Sequence, residues 1–149
     1  MIDLREYITP EEPEIKQLSY QFGSVEEAFN WVKDNIISIP DEQDFWQRPI
    51  ETLNRGMGDC EDQSNFLTSI FRAMKYDAYN FVFYIPERNE NHAITILNNT
   101  IYDPTFIIND KKLPVGATIP NTNPNDYPIV AYDDIQIVVY SEDLYLKLL

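Results

Sequence analysis

Apolar residues recur at helical spacing twice along the chain. From about Ser24 to Ile36, Ala28, Phe29, Val32 and Ile36 fall on one face and predict an amphipathic helix. Ser24 suits its N-cap, and Glu27 three residues later completes a capping-box pattern. A second run, starting at Cys60, places Phe66, Leu67, Ile70, Phe71 and Met74 on a buried face. Asp59, Glu61 and Asp62 open it, as suits the positive end of a helix dipole, so the helix begins almost on Cys60. The period then shortens to that of strands. Residues 78–86 and 92–97 are rich in aromatic and β-branched side chains and are joined by a polar loop holding Glu87, Asn89, Glu90 and Asn91. Asn98-Asn99 signals a tight turn into a third strand, Thr100 to Asp103.

A helix followed by an antiparallel meander is an α+β order rather than an alternating βαβ one. Around these elements the pattern is weaker. Residues 1–14, acidic and carrying Pro10 and Pro13, read as an extended lead-in. Residues 38–58, punctuated by Pro40, Pro49, Gly56 and Gly58, read as irregular. Residues 104–128 form a long Pro- and Asn-rich loop, which holds a short element or serves as a wall or lid. Ile135 to Tyr140 predicts a final strand, and residues 141–149 a short closing helix. No repeat or low-complexity segment interrupts the 149 residues, which suit a single domain spanning 1–149.

Composition narrows the function classes. With 44% hydrophobic and 24% charged residues, and ten Tyr, eight Phe and two Trp, the chain can build a core and is not of disordered type. The formal charge of −14 argues against nucleic acid and anionic membranes as partners, since both carry charge of the same sign. No apolar run reaches the length of a membrane span, and Met1 to Glu6 lacks the pattern of a secretory signal, so a cytoplasmic protein is expected. One cysteine excludes an internal disulfide, and one histidine leaves no Cys/His cluster for structural zinc. Neither metal nor cofactor is expected.

Three residues carry candidate chemistry. Cys60 follows a glycine-bearing loop at the first turn of a helix, where backbone N–H groups and the dipole favour a thiolate and could bind an oxyanion. Its acidic neighbours Asp59, Glu61 and Asp62 oppose that and should raise the thiol pKa, so an imidazolium is needed to hold a thiolate. His92 is the one histidine available, expected at a strand edge just past a loop. A hairpin with a two-residue turn sets residues near 92–94 opposite those near 103–105, which brings Asp103 beside His92 to fix its tautomer. Each residue also has a plainer reading: an inert core thiol, an exposed loop-end histidine, an Asp-Pro turn former.

Trp46-Gln47-Arg48-Pro49-Ile50-Glu51-Thr52-Leu53, then Gly56-Met57-Gly58-Asp59-Cys60-Glu61-Asp62-Gln63-Ser64, resembles the nucleophile region of the transglutaminase-like superfamily. His92-Ala93 and Asp103-Pro104-Thr105 are similar to its later motifs, though Ile94 stands where the family commonly has Trp. The resemblance covers residues ~24–106. It implies a papain-like, transglutaminase-like core with the nucleophile helix packed on an antiparallel sheet. It also implies Cys60 as nucleophile, His92 as general base and acid, and Asp103 as orienting acid, with Trp46 or Gln47 lending a side-chain N–H to the oxyanion hole. The chemistry implied is acyl transfer on a protein or peptide substrate through a thioester, by a cysteine peptidase or amidohydrolase. An amine-accepting protein-glutamine transferase shares that intermediate, and a non-catalytic binding or scaffold module could share the fold.

Overall fold

The computed structural model describes residues 2–3, 6–40, 45–85, 90–98, 100–105 and 129–130. In chain order the elements are β1 (Ile2–Asp3), α1 (Pro13–Ser19), α2 (Val25–Asn35), β2 (Ile37–Ser38), α3 (Pro49–Arg55), β3 (Met57–Gly58) and α4 (Cys60–Ala73), followed by β4 (Tyr79–Ile85), β5 (Glu90–Leu97), β6 (Thr100–Tyr102) and β7 (Ile129–Val130). Helices thus precede an antiparallel sheet of order β4-β5-β6, an α+β arrangement. Two short parallel pairs, β1 with β7 and β2 with β3, complete the pairing. Among the described residues no helix is long and apolar enough to cross a membrane.

Helix α4 is the axis of the fold, with α1, α2 and α3 packed around it and β4 and β5 on its remaining side. Phe66, Leu67, Ile70 and Phe71 are completely buried and meet Ile15 and Leu18 of α1, Phe29 and Val32 of α2, and Leu97 of β5. Each such side chain stabilises the fold by about 1.5–3 kcal/mol relative to exposure. Because neighbours surround it, α4 buries polar residues as well. Ser64 and Thr68 donate to Asn80 Oδ1, and Asn80 in turn donates to Asn65. Thr95 of β5 meets Thr68 at 2.9 Å and donates to the Ser64 carbonyl at 3.1 Å. These directional bonds fix how far α4 slides along the sheet, which an apolar face alone would specify loosely. They therefore set the height at which Cys60 emerges.

The expected helix at Ser24–Ile36 is α2, and Ser24 caps it by accepting from the Glu27 N–H at 3.2 Å. The reciprocal bond differs from a capping box: the Glu27 carboxylate accepts from Gly23, not from Ser24. Two segments read as unstructured hold helices. The lead-in 1–14 contains β1 and runs into α1, whose first residue is Pro13, with Ile15 and Leu18 buried one turn apart. The irregular stretch 38–58 contains β2, β3 and α3, and α3 likewise starts on a proline, Pro49. A proline at the first helical position loses no hydrogen bond and brings the correct φ, so both prolines mark helix starts. Gly56 ends α3 in the left-handed region (φ 67°), which a side chain at that position would disfavour.

Strands β4, β5 and β6 fall where the sequence pattern predicts them, with Glu90 and Asn91 inside β5 rather than in the loop. Asn98 adopts the left-handed conformation (φ 51°) that a tight β5–β6 turn requires. Residues 106–128 of the expected long loop, the expected strand Ile135–Tyr140 and the expected helix 141–149 lie outside the described residues.

Candidate active site

The helix start that carries Cys60 is built by reciprocal carboxylate capping. Asp59 is the N-cap: its Oδ1 accepts from the Asp62 N–H at 3.1 Å, while Asp62 Oδ2 accepts from the Asp59 N–H at 3.2 Å. Cys60 is therefore the first residue of α4, half-buried. Its sulfur receives the backbone N–H of Ala93, the residue after His92, and its S–H donates to Glu61 Oε2 at 3.2 Å. Burial pushes the thiol well above its ordinary pKa, and the Glu61 and Asp59 charges add to this, against the single favourable Ala93 N–H. The acidic neighbours thus act as expected in direction, but burial is the larger cause. Asp62, the third acidic residue of this turn, is turned onto Gln47.

Asp59 is itself perturbed. Burial, then the Glu61 charge, pushes its carboxyl up to about 8. Burial also raises Asp62, against four hydrogen bonds to Gln47 and Asp59 that favour its charged form.

His92 and Asp103 are brought together directly. The β5–β6 ladder pairs Thr95 with Tyr102. Continued one residue further, the same register sets Asp103 beside Ile94, and three residues further it sets Thr105 beside His92, so His92 and Asp103 are diagonal neighbours on one face. His92 Nε2 lies 2.8 Å from Asp103 Oδ2, with both side chains almost wholly buried. Asp103 is held in turn: its Oδ1 accepts from the Thr105 N–H at 2.9 Å and from the Thr105 hydroxyl at 2.6 Å. Tyr102, one residue earlier, packs edge-on against Phe29 and Phe71 at ring separations of 5.3 and 5.2 Å, which anchors the strand end in the core. The sequence reading placed His92 at an edge. It sits instead within the central strand of the sheet and is 1% exposed.

Of the two residues proposed to lend a side-chain N–H from upstream of Cys60, Gln47 has its donors engaged elsewhere. Gln47 is fully buried, and both its amide hydrogens are committed, to Asp62 Oδ2 at 2.8 Å and to the Met57 carbonyl at 2.9 Å. Its Oε1 accepts from Arg55 at 2.8 Å. No donor remains on Gln47 for an oxyanion, so its role is to brace the loop before Cys60. Trp46 is half-buried and packs edge-on to Tyr7 at 5.4 Å. Sequence reasoning missed the part played by Thr105 and the pairing of Asp62 with Gln47. For Thr105 a signal existed, since an Asp followed two residues later by a hydroxyl residue favours local side-chain-to-backbone bonding.

Residues 12–105, well over half of the chain, match the model of the transglutaminase-like superfamily, and the chain belongs to that superfamily. Among solved structures its fold is similar to that of a candidate cysteine protease from Cytophaga hutchinsonii, with a TM-score of 0.57 and 20% identity. That alignment covers 68% of this chain and 39% of the Cytophaga chain, so the present sequence spans well under half of that protein. EGTA-treated LapG of Legionella pneumophila aligns over 61% of this chain and 69% of its own, with 16% identity and a TM-score of 0.47. No curated protein matches the chain.

Proposed function

We propose that the protein is a cysteine-dependent acyl-transfer enzyme, a small peptidase or amidohydrolase acting on protein or peptide carbonyls. The observation that carries this reading is the buried His92–Asp103 contact of 2.8 Å, made one residue before the N–H that touches the Cys60 sulfur. A buried imidazole paired with a carboxylate that is itself locked by Thr105 is oriented for proton transfer rather than merely tolerated in a core.

With Nε2 on Asp103, the second ring nitrogen, Nδ1, is the one that exchanges a proton with Cys60. The resting thiol is protonated, so His92 removes the proton as sulfur attacks the carbonyl carbon, and Asp103 stabilises the imidazolium that results. The N–H of Cys60, at the free start of α4, donates to the developing oxyanion. The tetrahedral intermediate collapses with C–N cleavage, the imidazolium returns its proton to the leaving amine, and a thioester remains. Water, activated by the same imidazole, then releases the acid. An amine in place of water gives transamidation by the same residues.

The test is to incubate wild type and Cys60→Ala with casein and a glutaminyl-peptide panel, with and without a primary amine. Cleavage, deamidation or amine incorporation that disappears in Cys60→Ala is expected. Identical behaviour of the two proteins on every substrate would favour a binding module that retains the fold.

A further inference from the structure

The loop that delivers Cys60 is short, and nearly all its backbone polar groups are held from outside. Gln47 Nε2 takes the Met57 carbonyl at 2.9 Å, Gln63 Nε2 and the Ile39 N–H take the Gly58 carbonyl at 3.0 and 3.1 Å, and Asp62 takes the Asp59 N–H. Gln47 and Asp62 are joined twice, backbone N–H to Oδ1 and side-chain amide to Oδ2, each at 2.8 Å. We infer that this Gln47–Asp62 clasp is a positioning device for catalysis, holding the peptide planes on either side of Gly58 and through them the entry of the chain into Cys60. The inference rests on the acyl-transfer reading and deepens it.

Three features separate the clasp from ordinary packing. The amide of Gln47 is saturated, because Arg55 fills its oxygen while Asp62 and Met57 take its two hydrogens, so its orientation is determined at every atom. Burying a carboxylate at the start of the nucleophile helix is costly, and burial does raise Asp62; an apolar residue there would avoid that cost. The clasp also dictates the sequence around it. A Cβ on Gly58 would lie 2.7 Å from Asp62 Cβ and 3.1 Å from Gln47 Nε2, so the loop passes directly beneath the clasp with no room to spare. The loop before Cys60 is thus held by Gln47 and Asp62 and, at the Gly58 carbonyl, by Gln63 and Ile39.

The test uses iodoacetamide alkylation of Cys60, followed by intact mass from pH 6 to 10, so that no substrate need be known. Wild type and His92→Ala first define the His92-dependent part of the rate. Gln47→Met and Asp62→Asn, both close to isosteric, are each expected to lower that part about tenfold at pH 7. The double variant should lose no more than either single one, because the two residues act as a unit. The rate at pH 10, which reports an accessible thiol in a folded chain, should stay within about twofold of wild type. Folded variants that keep the full His92-dependent rate would overturn the inference. If either variant loses its circular dichroism signal, Arg55→Met decides: it loosens the amide from outside and should lower the same part of the rate about threefold, and no change would overturn the clasp's role. A wild-type rate that does not depend on His92 would instead overturn the acyl-transfer reading, and the clasp's role with it.

Discussion

Replacing Glu61 with glutamine removes the carboxylate that accepts the Cys60 S–H and leaves a side chain of the same size. With the carboxylate present, ionising the thiol places two negative charges about 3.2 Å apart. Their repulsion is about 1.3 kcal/mol at the dielectric constant of water and about 5 kcal/mol at an effective value of about 20. Glu61 is half-buried, so the lower figure is the safer guide. It corresponds to about a tenfold rise in thiolate population at any pH below the thiol's ionisation. A less basic thiolate is a weaker nucleophile, which returns about a factor of three. Alkylation of Glu61→Gln at pH 7 should therefore run at least about threefold faster than wild type, while Glu61→Asp, which keeps the charge, should change little. The assay is the pseudo-first-order rate of iodoacetamide incorporation across pH, read by intact mass. Equal rates for Glu61→Gln and wild type at every pH would refute the reasoning. They would show that burial, already the larger cause, holds the thiol protonated by itself.

Two further outcomes follow from groups around the site. The Asp59 carboxyl is raised to about 8, so between its ordinary value near 4 and about pH 8 the folded chain keeps a proton that the unfolded chain has lost. Stability should then fall as pH rises through that window. Asp59→Asn keeps an N-cap acceptor and should flatten the Tm profile from pH 4 to 9, whereas parallel profiles would contradict this origin. Thr105→Val removes the 2.6 Å hydroxyl bond to Asp103 but leaves the backbone N–H, a charge-assisted bond whose loss is worth about 1.5 kcal/mol or somewhat more. It should lower Tm and slow His92-dependent alkylation, both restored by Thr105→Ser; a Thr105→Val protein indistinguishable from wild type would exclude a role in holding Asp103.

The parts legible in the sequence were those governed by local rules. Helix α4 and its start at Cys60 followed from the spacing of Phe66, Leu67, Ile70 and Phe71 behind an acidic first turn. Strands β5 and β6 and the proximity of His92 to Asp103 followed from strand alternation and a short Asn turn. Two helices were hidden because Pro13 and Pro49 read as breakers, and each helix is only seven residues long, too short for periodicity to assert itself. The use of Gln47 was hidden for a different reason. Whether an amide faces an empty cleft or a buried carboxylate depends on Asp62, fifteen positions later, and on Arg55. Nothing in the spacing of Trp46 and Gln47 carries that information. His92 was misplaced at an edge because β5 extends back to Glu90 through residues that look like loop.

Tyr102 ties the carboxylate to the hydrophobic interior, since its ring lies between Phe29 and Phe71 and its backbone leads straight into Asp103. The aim of the imidazole is consequently a readout of how two aromatic side chains from two different helices are seated. A conservative exchange at Phe29 or Phe71 would reach Asp103 through Tyr102 without touching it. Anyone seeking to tune this protein's reactivity without altering Cys60, His92 or Asp103 would begin with those two phenylalanines.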